Sequence, residues 1–128
     1  MSLSDYLENW LLTQLMAGKT FFVGYGSAGG ESSFTEFSSN GYARKAYGAY
    51  TVTSTPGDDQ HVTNDAAITH AAATGTQGTA THVGIWDALT AGNLLAVVSF
   101  AELGLANVSV ITGTQIEYPA GKCKLQID

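Results

Sequence analysis

A chain of 128 residues with a formal charge of −6 and only five basic residues is a poor match for nucleic acid, because phosphate binding needs clustered Lys and Arg to release counterions. Hydrophobic residues make up 45% of the chain and charged residues only 12%, about half the ordinary charged fraction, with 15 glycines. This balance predicts a single rigid, turn-rich domain around one core, and the lone cysteine, Cys123, excludes an internal disulfide framework and a CxxC metal ribbon.

Residues 2–17 carry the one clear helical pattern. Ser2 or Ser4 can cap it, Asp5 and Glu8 sit near the positive end of the dipole, and Leu3, Tyr6, Leu7, Trp10, Leu11 and Leu15 recur at spacings of three and four. Gly18 followed by Lys19 is a C-terminal stop. The segment has no basic n-region, and its apolar run is too short to span a bilayer. It therefore predicts neither a secretory leader nor a membrane anchor, but a soluble protein made inside the cell. The apolar stripe includes a Trp and a Tyr, more than a cover for a small sheet needs. Two roles stay open for it: packing on its own domain, or docking on a partner through Tyr6, Leu7, Trp10 and Leu11.

Past residue 18 the pattern is strands and turns. Thr20–Tyr25 is a short aromatic and β-branched run, and 26–41 is a polar connection. Residues 42–53 resume extended character, and 54–60 are a turn by their Pro-Gly-Asp content. DAAITH, THVGIWD, NLLAVVSFA, VSVITG and KCKLQID follow at regular spacing. In the last of them Cys123, Leu125 and Ile127 alternate with polar residues, as on a half-buried strand. The fold expected is mainly β: an antiparallel β-sandwich or barrel, jelly-roll-like, spanning 19–128, preceded by the helix of 1–18. Within it, the block from Ala66 to Ala101 offers three central strands.

Residues equipped for chemistry form no compact motif. Gly24, Gly26 and Gly29 match GxGxxG, but a dinucleotide site needs a helix to open there, with an acidic residue about 20 positions on. ESSFTEFSSNG has no helical period, and positions 43–45 are Ala, Arg and Lys, so the glycines read as a structural turn. His61, His70 and His82, with Asp58, Asp59 or Asp87 as companions, fit no metal-ligand spacing, although a hairpin could bring His70 and His82 together. PGDDQ lacks the oxygen-ligand periodicity of a calcium loop. No GxSxG nucleophile elbow occurs, and nothing singles out a catalytic pair among Glu31, Glu36, Glu102 and Glu117. Cys123 reads as a small buried hydrophobe. Trp86, or the tyrosines Tyr42, Tyr47 and Tyr50, could supply the aromatic platform of a small carbohydrate-binding module.

Four stretches carry a family resemblance: SLSDYLENWLL (2–12), GYARKAYG (41–48), AAITHAAATGTQGTATHVGIWDALTAGNLLA (66–96) and IEYPAGKCKLQID (116–128). With them in this order, the chain resembles small bacteriophage virion proteins labelled tail fibre or tail fibre-like, a group also read as head decoration (cement) proteins. The central block is the most specific, through Gly75, Gly78, HVGIWDA and GNLLA. Residues 22–40 depart from the pattern, since family members often carry a proline-rich, acidic turn there.

The resemblance implies a non-enzymatic structural protein with no catalytic residues and no cofactor. Its partners would be the major capsid protein or other virion proteins, in a homo-oligomer, a trimer if it caps capsid three-fold positions, with no nucleic acid or membrane. Net negative charge favours the outer surface of the particle over its DNA-filled interior. Head decoration is the first expectation and a tail fibre or tail-tip component the second.

Overall fold

The computed structural model describes residues 4–17, 19–27, 33–53 and 60–127. Helix α1 (Asp5–Met16) is followed, in chain order, by β1 (Phe22–Ser27), β2 (Thr35–Glu36), β3 (Lys45–Ala46), β4 (Tyr50–Thr53), β5 (Gln60–Asn64) and β6 (Ile68–Thr69). Then come β7 (Gly78–Ala80), β8 (His82–Trp86), β9 (Leu94–Ser99), β10 (Val108–Val110), β11 (Glu117–Tyr118) and β12 (Leu125–Ile127). The protein is mainly β with one N-terminal helix, and every strand pairing is antiparallel, as the sequence predicts.

The helix forms where the stripe places it. Ser4 is extended and its hydroxyl accepts the Leu7 N–H at 3.3 Å, while the Ala17 N–H closes on the Thr13 carbonyl at 3.0 Å. The Gly18 stop lies outside the described residues, as do residues 1–3. The helix rests against β4 and β5.

The largest sheet runs β2-β1-β8-β9, with β3 also pairing β1 along the edge that β2 uses. A three-stranded sheet runs β12-β5-β4, and β10 with β7 and β11 with β6 make two short ladders. In the main sheet Val23 lies opposite Ile85 and Tyr25 opposite Val83, all four buried. Period-two alternation then sends Phe22, Gly24, Gly84 and Trp86 to the other face. One hydrophobic cluster joins the sheets, running from Phe21 and Val23 through Val62, Phe100 and Val110 to Tyr118 and Cys123. No described helix side chain belongs to it.

Several local expectations shift. The run 42–53 breaks into β3 and β4, in different sheets, because Gly48 turns the chain with φ +78° after the buried Tyr47. Of the 66–101 block, β8 is central, β9 is an edge, and the ITH segment yields only the two-residue β6 paired with β11. The 54–60 turn lies outside the described residues up to position 59.

The closing strand is tied in by one buried amide. Asn64 Nδ2 donates to the carbonyls of Ala66 (2.9 Å), Tyr118 (3.3 Å) and Pro119 (3.2 Å), while its Oδ1 accepts the Cys123 N–H at 2.9 Å. The Tyr47 hydroxyl donates to the Cys123 carbonyl. Cys123 itself is buried, as expected, and burial pushes its thiol up to about 12, so it stays protonated and inert near neutrality.

Candidate interaction surface

The side chains that invited chemistry are occupied structurally. Gly24 and Gly26 lie inside β1 and not in a turn, and Gly29 is outside the described residues. They are glycines for space: a Cβ on Gly24 would fall 2.0 Å from the Tyr42 hydroxyl, and one on Gly26 2.0 Å from the Thr35 carbonyl oxygen. His70 and His82 do not share a site. His70 Nδ1 lies 3.1 Å from the Ala43 carbonyl, which can only accept. The ring therefore carries its proton on Nδ1, and Nε2 accepts from the Tyr118 hydroxyl at 2.9 Å. His82 Nδ1 meets the Thr81 hydroxyl at 2.8 Å. Among the described residues no three His, Cys, Asp or Glu side chains converge on a possible metal position. Asp58, Asp59 and Glu31 are outside the described residues.

Glu36 and Arg44 form a bidentate ion pair, Nε to Oε2 at 2.8 Å and Nη2 to Oε1 at 2.9 Å, and the Tyr42 hydroxyl donates to the same carboxylate. Burial alone pushes the Glu36 carboxyl up, but the bonds from Arg44 and Tyr42 outweigh it and hold it below its ordinary value. Arg44 Nη1 also donates to the carbonyls of Ala88 (2.8 Å) and Ala91 (2.7 Å). One guanidinium thus fixes the connection between β8 and β9. Asp87 closes that loop from the other end, accepting Asn93 N at 2.7 Å and Nδ2 at 2.9 Å, and Ala91 and Gly92 take φ of +52° and +71°. The loop is pre-shaped, with Leu89 exposed on it.

Of the aromatic residues considered for a carbohydrate platform, Trp86 and Tyr47 are taken into the structure. Trp86 is only 5% exposed: its ring packs against Gly84 and Gly24 on one side and under Arg44 on the other. Tyr47 is buried, and Tyr42 and Tyr50 are half-buried.

Among the described residues, the large exposed apolar side chains other than Leu89 and Ile111 lie in two places. On α1, Tyr6 is 80% and Trp10 48% exposed, Leu7 is exposed and Leu11 partly so. On the main sheet, Leu94 and Leu95 are exposed at the start of β9, where a bulge inserts Leu95 between the pairs Trp86–Leu94 and Ile85–Ala96. The sequence reading selected the helix and missed the β9 patch. Its signal was present: from Ala66 to Ala101 the sequence has no Glu, Lys or Arg and a single Asp, Asp87. Large exposed apolar side chains grouped on one element mark contact surfaces.

Residues 2–126 match the family described as Podophage GP4 fiber I protein gp80. The chain belongs to that family. It is therefore a bacteriophage structural protein and a virion component, and the resemblance to tail-fibre-like virion proteins read from the four stretches holds. The match takes in α1 and both exposed patches, so helix and strands belong to one family unit. A comparison with curated proteins finds no match.

Proposed function

We propose that this fibre-family protein is a non-enzymatic building block of the phage fibre apparatus, carried on the outside of the particle and attached to another virion protein through α1. The exposure of Tyr6 and Trp10 carries this reading. Together with Leu7 and Leu11 they offer an aromatic and aliphatic anchor while the core closes without any described helix side chain. The family description favours a fibre over the head-decoration role. Net charge of −6 supports an outer position, since packaged DNA would repel it.

Gold-labelled antibody against the protein, imaged on purified virions, tests the assignment. Label confined to fibres or tail at a few dozen copies or fewer is the expected result. Label spread over the head at hundreds of copies would instead establish decoration of the capsid.

A further inference from the structure

We propose that Asn40 is a latent modification site: the closed fold holds it unreactive, and it converts with water to aspartate and isoaspartate once the segment 74–77 lets go of it. Of the asparagines at 9, 40, 64, 93 and 107, Asn40 is the one followed by glycine. Glycine has no Cβ to shield its backbone nitrogen, so that nitrogen can attack the carboxamide of the residue before it. In this step a bond forms between the Gly41 nitrogen and the Asn40 Cγ, the Cγ–Nδ2 bond breaks, and the Gly41 amide proton leaves with Nδ2 as ammonia. The product is a five-membered succinimide. Water adds to either ring carbonyl and opens it, leaving aspartate or, with the main chain rerouted through the side chain, isoaspartate. Asn40 and Gly41 are both exposed, so water reaches them.

The turn forbids the attack. The Tyr42 N–H donates to the Ser39 carbonyl at 3.2 Å, and φ is 54° at Asn40 and 85° at Gly41, the pattern of a type I′ turn. The first central residue of such a turn has ψ of about +30°. That angle turns the next nitrogen away from Cβ, whereas the ring closes only with nitrogen and Cβ on the same side.

Contacts from 74–77 hold Asn40 in this conformation. Its carbonyl accepts the Thr74 N–H at 2.9 Å and Gln77 Nε2 at 2.9 Å, and its Nδ2 donates to the Thr76 carbonyl at 2.6 Å. The carboxamide lies against Gly75, where a Cβ would fall 2.9 Å from the Asn40 Cγ. Only local opening of this segment frees the side chain and the backbone angle together. Conversion then works against reclosure. A carboxylate would face the Thr76 carbonyl where an N–H donated, and isoaspartate adds a methylene to the main chain inside the turn. The site therefore records how often the approach to β7 has opened.

Full-length protein kept at mildly alkaline pH, folded in buffer or unfolded in urea, tests this. Mass spectrometry of digests reads the exchange of NH2 for OH at Asn40, and electron-transfer fragmentation reads the isoaspartyl linkage. The folded chain is expected to convert at least about tenfold more slowly than the unfolded one. Gln77→Ala removes a bond to the Asn40 carbonyl, and Gly75→Ala displaces the carboxamide. Each variant, shown folded by circular dichroism, should convert several times faster than the wild type, and either suffices where the other does not fold. Equal rates in the folded and unfolded wild type, no conversion at Asn40 in urea, or folded variants as slow as the wild type would overturn the proposal.

Discussion

The Arg44 guanidinium lies 4.0 Å from the centre of the Trp86 ring, in a stack that also holds Glu36 and two loop carbonyls. The Arg44 side chain is 8% exposed and that of Glu36 25%, so loss of Arg44 leaves the carboxylate unpaired in a partly desolvated position. Arg44→Ala should lower the unfolding free energy by about 1–3 kcal/mol in urea titrations. Arg44→Lys should recover less than half of that, because an ammonium cannot bridge a carboxylate and two carbonyls with a planar fork. Full recovery by lysine would show that charge alone matters there.

Gly84 tests the floor of the same stack. A Cβ on it would lie 2.4 Å from the Trp86 ring, so Gly84→Ala must lift the indole. The expected cost is about 1–3 kcal/mol, the range for overpacking a tight site. Trp10 is the other tryptophan, so emission should be read in a Trp10→Phe background, where a red shift reports Trp86 moving toward water.

His70 makes stability depend on acid. Burial lowers its pKa to about 4 from an ordinary 6.5, an effect only partly offset by the Ala43 carbonyl. The unfolded chain therefore takes up a proton as pH falls below 6.5 while the folded chain does not, and stability present above pH 6.5 is lost progressively down to about 4. The loss from this one residue is roughly 3 kcal/mol. Proton NMR should show the His70 ring signals unmoved until the pH approaches the lower value. A midpoint near 6.5 would contradict the burial argument.

Trp10 separates attachment from folding. Trp10→Ala should change unfolding free energy by less than about 1 kcal/mol, since the indole is half exposed and no described helix side chain enters the core. Incorporation into virions during infection with the variant phage should fall on the order of tenfold or more, the loss of an anchor residue. Parallel losses in both measurements would return Trp10 to a packing role.

The helix was legible because its signals are local: a capping Ser4, a stripe at spacings of three and four, no glycine inside. The long strands β1, β8 and β9 were legible for the same reason, as β-branched runs bounded by turns. What escaped was decided at a distance. β2, β3, β6 and β11 are two-residue pairings whose partners, not their own residues, make them strands. β5 reads as polar, yet Val62 and Asn64 are buried because β4 and β12 flank them. Trp86 looked available because nothing in HVGIWDA reveals that Arg44, over forty residues earlier in the chain, covers it. The candidate interface on α1 was readable as a stripe too wide for its duty, whereas the openness of β9 is a property of sheet order.

The Asn64 amide bears on uniqueness as well as strength. A slip of β5 by one position against its neighbours would turn Val62 out of the core and carry the amide away from Tyr118, Pro119 and Cys123 at once. The Tyr118 carbonyl and the Cys123 N–H, whose bonds to the amide are buried, would lose this partner, so the shifted arrangement is not a close competitor. One side chain thereby fixes where β5 sits against β11 and against the residues that lead into β12, so the chain has a single way to close.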